Sequence, residues 1–579
     1  MKKTRYILLF AFCLLSLLMM AQQETLVYLE HCDFLSFDEE QHPDAQLLKG
    51  NVQFRHEDAL MFCDSAYFYE KSNSLDAFGN IRFVQGDTLF GYGDVLYYDG
   101  NTKFARLRNH VKLVHINTIL TTEQLNYDRK QDLAYYFTGG TIEDEVNTLT
   151  STWGQYTPPN KQAVFKTNVR LTNENFTLTA DTLKYNTESN IADLVGPTEI
   201  VYQGETTIFS TLGWYNTKTE ESKLLQDAKI VHTEGKTLTG DTIFYNKAIG
   251  YGRVVNNMVM TDSVRKLTLT GNYGEMYEDG KRGYATDSAL FTDWSSEDYI
   301  YMHADSLFTE EVPYRIYSLI ERDSVLIDSI LTYQTPDTLW QDTTYQQARA
   351  FYGVRVFKSD MQAVCDSLVY NFRDSVVTLF GKPICWNNDN QVSADLINIY
   401  MKDSTVDYAH GIGAAIAIKQ ESFTQFDQLS GKEIFAYIRD GEMKQIDVNG
   451  NAETVFYPRE DDGSIIGVNK TQSSYVKIYL EDQKIHHIVF TAATSGNMYP
   501  LDSISPGDQR LGNFFWAEQE RPMVPGDVFA RPQRANRPKT EGLSAIDNEK
   551  KDATEEPTTN KRRNRRNNRN NNNKKTIRI

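Results

Sequence analysis

With 579 residues and a net charge of −18, the chain is long enough for several domains and too acidic for nucleic acid to be its main ligand, since phosphate binding needs a basic face. The charge is unevenly placed, with Lys2, Lys3 and Arg5 at the start and nine Lys/Arg between Lys561 and Ile579, so the body between is more acidic still. Long helical patterns are scarce, and the aromatics, 34 Tyr and 30 Phe, are those that strands prefer.

In chain order, residues 1–21 read as a secretory signal peptide: a basic start, an apolar run from Tyr6 to Met20, then Ala21. Residues 22–48 form an acidic lead-in. From residue 49 to 309 one pattern recurs. Its clearest copy is KTLTGDTIFY, Lys236 to Tyr245, and close relatives end at Tyr69, Tyr98, Tyr185 and Tyr370. The shared core is a small residue, Asp, then x-Leu/Ile-x-Tyr/Phe. The copies are 30 residues apart from Asp64 to Asp94, 29 from Asp94 to Glu123 and 29 from Asp181 to Ser210. An alternating run such as Asn51-Val52-x-Phe54 or Asn80-Ile81-x-Phe83 precedes each copy. A fixed period made only of strand-like segments predicts stacked β units that bury apolar faces against their neighbours.

Apolar residues change parity at the Asp: Leu238 and Gly240 share one parity, Ile243 and Tyr245 the other. A bulge or corner at Asp241 keeps both halves facing inward. The small column (Cys63, Gly93, Ala180, Gly240, Cys365) fits a tight inner corner, with Asp as an outward turn group hydrogen-bonded to backbone amides. Cys63 and Cys365 read as buried fillers, and a Cys32–Cys63 bridge stays open. Residues 310–348 break the period as an inserted hairpin or lid, and the repeats resume over 349–490. Residues 491–579 are expected to be largely disordered, with little packed beyond Asn513 to Trp516 and a basic, Asn/Arg-rich end.

Little catalytic chemistry is present. There is no Gly-rich phosphate loop, no nucleophile elbow and no zinc-spaced histidine pair with a third ligand, so neither a cofactor nor a metal is expected. The repeat offers instead a row of inward apolar side chains: Val52, Phe54, Ala66, Phe68, Ile81, Phe83, Leu96, Tyr98, Val111, Leu113, Leu125, Tyr127, Leu183, Tyr185, Ile243, Tyr245, Leu368 and Tyr370. They either fill a closed core or line an open apolar groove; both readings stay open at this stage.

Units such as Gly50-Asn51-Val52-x-Phe54 with Asp64-x-Ala66-x-Phe68, and Gly79-Asn80-Ile81-x-Phe83 with Asp94-x-Leu96-x-Tyr98, resemble the OstA-like (LptA) family. The resemblance also extends to the periplasmic N-terminal domain of LptD. It covers residues 49–309 well and 349–490 less well. It implies an all-β fold, an elongated stacked antiparallel β-jelly-roll (β-taco), whose interior holds the acyl chains of lipopolysaccharide. It implies a periplasmic, non-enzymatic carrier between inner and outer membranes, with the residues above touching acyl chains. Its implied partners are lipopolysaccharide and the inner-membrane and outer-membrane transport proteins, joined by end-to-end strand pairing, with self-association through the same edges a further expectation. The chain departs in being longer than the typical bridge protein and in lacking a barrel pattern after Phe490. A structural or adhesive β-solenoid with a filled core is the rival reading, and a carbohydrate-active β-helix a second.

Overall fold

The computed structural model describes residues 25–530 apart from 39, 41, 278–281, 321–324, 328–329, 333–336, 403–404, 440–441, 461 and 482–483; for 317–339 it gives backbone only. The expected signal peptide and basic end lie outside the described residues. Thirty-eight strands, from Tyr28–His31 to Ser495–Tyr499, form one antiparallel sheet. No helix among the described residues is long and apolar enough to cross a membrane.

Each full strand is folded near its middle. Gln46–His56 pairs with Ala59–Tyr69 on both sides of a register shift between Lys49 and Val52, and the same shift recurs between Phe78 and Ile81 and between Val255 and Met258. Two successive residues with positive φ make the fold: Gly79 (80°) with Asn80 (45°), and Asn256 (65°) with Asn257 (52°). Gly79 is needed there, because a Cβ on it would stand 2.5 Å from Asp64 Oδ2. The parity change read at Asp241 is therefore a real corner. Leu238, Ile243 and Tyr245 all lie on the inner side, at 5%, 0% and 4% exposure.

The corner Asp differs in one respect from expectation. Its carboxylate accepts from the side chain of the next corner rather than from backbone amides. Asn51, Asn80 and Asn257 donate through Nδ2 to Asp33, Asp64 and Asp241 at 2.8, 2.7 and 2.9 Å. His110 Nδ1 lies 2.7 Å from Asp94, a contact that raises the imidazole pKa. Exposed amides do this because the backbone donors at the corner are already used: Asp33 N–H donates to Gly50 O, and Asp241 N–H to Asn256 O.

The corner line divides the sheet into two facing walls. The first holds residues such as 65–69, 95–99 and 242–246; the second holds 52–56, 81–85 and 236–239. Side chains meet across the gap, as in Phe54–Phe68 (5.4 Å between ring centroids), Phe83–Tyr127 (6.0 Å) and Phe176–Tyr215 (5.0 Å). Cys32, Cys63, Cys365 and Cys385 are all free. A Cys32–Cys63 bridge is not formed because the strand Gln46–His56 separates the two, pairing with His31 on one side and Cys63 on the other.

Two boundaries move. The 310–348 segment is not separate from the sheet. Ser306–Ile320 and Asp337–Lys358 pair continuously out to Ile320 and Asp337, past the turns of the neighbouring strands, so the hairpin rises above the rim of the first wall. The segment after 490 is not loose either. Strands continue to Tyr499, and residues 500–530 run as an irregular strap over the outer face of the second wall. Three glutamines on that face hold it. Gln391, fully buried, donates to Phe515 O (2.6 Å) and accepts from Ala517 N (2.8 Å). Gln428 donates to Gln509 O (2.8 Å) and accepts from Leu511 N (2.8 Å), and Gln362 accepts from Arg521 Nε (2.7 Å). Beneath the strap, Phe426 packs on Phe514 and Trp516.

Candidate functional site

The space between the walls is the only extended apolar interior that the sequence reading singled out, and its character changes along the chain. Each unit places two inward tiers on the first wall, one beside the corner and one nearer the rim. The rim-tier position is the fourth residue after the corner. It is Phe68, Tyr98, Tyr127, Tyr156, Tyr185, Tyr215 and Tyr245 in the first seven units, then Met276, Thr309, Tyr370, Ile399, Ala436 and Ile478.

In the first seven units both tiers are buried. Leu96 with Tyr98, Leu125 with Tyr127 and Leu183 with Tyr185 are all at most 5% exposed. The rings of Tyr98, Tyr127 and Tyr156 span the gap, and their hydroxyls meet polar groups on the opposite rim, whereas Tyr185 OH meets Asn190 and Thr217 on its own wall and Tyr215 OH is buried without a hydrogen-bond partner. Tyr98 OH lies 2.6 Å from His56 Nδ1 and accepts from Arg129 Nη1 (2.7 Å). Tyr127 OH donates to Gln85 Oε1 (3.0 Å), and His115 Nδ1 lies 3.0 Å from Tyr156 OH. Arg129, buried, reaches Asp58 (2.7 Å), and Lys103 reaches Glu57 (2.6 Å). Asn175 Nδ2 donates to Glu220 (2.9 Å), and Lys247 stands over the Tyr202 ring. Such rim ties run from His56 to Lys247. Burial pushes the Tyr98 hydroxyl pKa up and Tyr136 to about 12, and burial, helped by Arg129, holds His56 below its ordinary value. Tyr98 and His56 therefore meet as neutral hydrogen-bonding groups, beside the charged pairs Arg129–Asp58 and Lys103–Glu57. This stretch is sealed; a void of about 30 Å³ beside Leu113, His115 and Tyr156 has room for about one water.

Beyond Lys247 the corner tier stays buried, as at Ala285, Leu307, Leu379, Ile397, Ile434 and Val448. The rim tier is half-buried at many positions on both walls: Met276, Val377, Ile399, Ala436 and Ile446 on the first; Met260, Leu269, Phe291, Met302, Val392 and Ala417 on the second; Ile478 on the first and Val356, Ala363 and Leu429 on the second stay buried. These side chains are apolar, carry no hydroxyl to tie the two rims, and pack against the buried core beneath them. The result is a slot whose apolar rim tier is partly exposed to solvent. Its strands run from Leu267–Tyr277 to Lys484–Thr491.

All the residues expected to line the interior do point inward. Val52, Phe54, Ala66, Phe68, Ile81, Phe83, Leu96, Tyr98, Val111, Leu113, Leu125, Tyr127, Leu183, Tyr185, Ile243 and Tyr245 lie in the sealed stretch, and all are buried. Leu368 and Tyr370 lie in the open stretch, Tyr370 half-buried. The open rim tier went unnoticed because it mostly breaks the motif, although the replacement of tyrosine by Met276, Thr309, Ile399, Ala436 and Ile478, with Tyr370 retained, is visible in the sequence.

Residues 24–181 and 167–237 match the family model described as OstA-like protein, in two overlapping copies. This region belongs to the OstA-like family. No curated protein matches the chain. OstA-like proteins are a lipid-transport family of the periplasm, and the OstA-like match ends at residue 237, before the last sealing tyrosine. The open slot lies outside the residues that the family model matches.

Proposed function

We propose that the protein carries lipopolysaccharide across the periplasm, holding acyl chains between its two walls and doing no chemistry on them. The observation that carries this reading is the half-buried apolar rim tier. An apolar cleft open to solvent stays unfilled by the protein's own side chains and gains by covering acyl chains that water excludes. The OstA-like region supports the same reading. Export by the signal peptide at residues 1–21 brings the chain to the periplasm. The edge strands at the two ends supply the contacts to inner-membrane and outer-membrane transport proteins, or to a second copy. At the first edge Tyr28, Phe34, Leu35 and Phe37 are each at least half exposed, and Lys484–Thr491 at the last edge is open on one side.

Depletion of the protein from cells that make it tests the reading. Newly made lipopolysaccharide should accumulate at the inner membrane while phospholipid delivery continues. Normal arrival of lipopolysaccharide at the cell surface after depletion would reject it. The filled-core solenoid is the second reading, favoured by the sealed stretch alone.

A further inference from the structure

Resting on that reading, we infer that acyl chains occupy only the open slot from about residue 260 to 490, entering sideways through its rim, and that the first seven units are a sealed spacer through which no lipid passes. The deciding group is the fourth residue after each corner. Over the first seven units it is aromatic and buried, and the hydroxyls of Tyr98, Tyr127 and Tyr156 are tied to His56, Gln85 and His115 on the other rim, whereas Tyr370, a tyrosine at the same position further on, is half-buried. Displacing these rings would break buried hydrogen bonds and leave Arg129 facing acyl chains, so lipid has no ready path there. Where that residue is Met276, Ile399 or Ala436, the ring and the tie are both lost, and apolar surface on both walls faces outward.

The dimensions suit a lipid with several chains. Twelve strands of the first wall border the slot, which gives it a length of about 50 Å at ~4.8 Å per strand. The first wall also grows taller towards the end. Strands of five to seven residues per wall give way to Phe426–Arg439, Glu442–Phe456 and Val468–Glu481, of 14 or 15 residues in all, adding Ile438 and Leu480 above the usual two tiers. The same wall carries the hairpin that rises past the rim at Ser306–Ile320. Because the family match stops at residue 237, it does not reach this slot, and the inference stands on the geometry.

Photocrosslinking of the full-length chain with purified lipopolysaccharide tests it. A crosslinker at Ile446 should give lipid adducts, and one at Tyr185 none. Ile399→Tyr with Ala436→Tyr, which installs the sealing residue in two open units, should abolish the Ile446 adduct while circular dichroism stays unchanged. Should a crosslinker at Tyr185 perturb folding, hydrogen exchange of the unmodified protein with and without lipopolysaccharide replaces it: protection should rise over 376–449 and stay level over 89–128. Adducts at Tyr185, or protection gained over 89–128, would overturn the sealed spacer and leave lipid carriage intact. A folded protein that captures lipopolysaccharide at no position would overturn both.

Discussion

Placing one carboxylate in each stretch separates a sealed core from an open slot by stability alone. Ile243 is fully buried and opposed by Leu224 and Val254, themselves buried. Ile243→Asp loses the packing of a core isoleucine, about 2–5 kcal/mol, and buries a carboxylate without a partner, so the total is on the order of 5 kcal/mol or more. Ile399 lies in the rim tier, half-buried. Ile399→Asp forfeits only part of the ~1.5–3 kcal/mol that full burial of such a side chain supplies, and its carboxylate keeps water, so about 1 kcal/mol is expected. Stacked repeats unfold locally rather than as one unit, so the assay is amide hydrogen exchange read segment by segment. Ile243→Asp should strip protection from 221–256 and its neighbours, whereas Ile399→Asp should leave 376–412 nearly as protected as before. Equal loss in the two variants, or an Ile243→Asp protein with full protection, would refute the division of the interior.

Three further outcomes follow from particular side chains. Asp427 accepts from Tyr457 N at 2.9 Å in a desolvated position, and burial raises its carboxyl from 3.8 to about 7. The folded state therefore holds this proton more tightly than the unfolded state. The stability it contributes is complete below about pH 4 and is lost as pH rises through 7. Asp427→Asn should change little at pH 4 and stabilise at pH 8 by roughly 2 kcal/mol, discounted for partial exposure, as measured by denaturant melts at the two pH values. Gln391→Leu removes both bonds to the strap at Phe515 and Ala517, and limited proteolysis should then cut within 500–530 while the strands stay resistant. Arg129→Met removes the bonds to Tyr98 and Asp58 at the sealed rim, leaving Tyr98 only its bond with His56, and should cost about 2–3 kcal/mol, seen as faster exchange in 89–128 with no change beyond residue 260.

Much of this architecture was legible residue by residue. The parity change around Asp241 can be satisfied only by a corner, and the small residue before each Asp marks its inner side. Gly240 shows why, since a Cβ there would run into Val254. What the Asp side chain binds was not legible, because its partner sits 16 residues away on the next unit, as Asn80 does for Asp64. The strap was missed for a different reason. Its anchors, Ile504, Leu511, Trp516 and Val528, have no period, and the surface that receives it presents glutamines, which read as solvent-facing until their carboxamides are seen bonded to strap backbone. The sealing role of tyrosine was present in the motif, yet burial on one wall and a bridge to the other give the same letters; only the contacts to His56, Gln85 and His115 distinguish them.

The corner bonds also govern how such a chain can change in length. Asp33 is answered by Asn51, Asp64 by Asn80, Asp94 by His110 and Asp241 by Asn257, so each of these four hairpins presents an acceptor that the next hairpin satisfies. Gain or loss of a whole hairpin leaves every acceptor with a donor and shifts the reach by about 9.6 Å, two strand spacings. An odd strand would leave such an acceptor without its donor and reverse the chain's direction for everything downstream. Reach is thus quantised, and a duplication of about 30 residues is the smallest step by which descendants of this gene can span a wider or narrower gap.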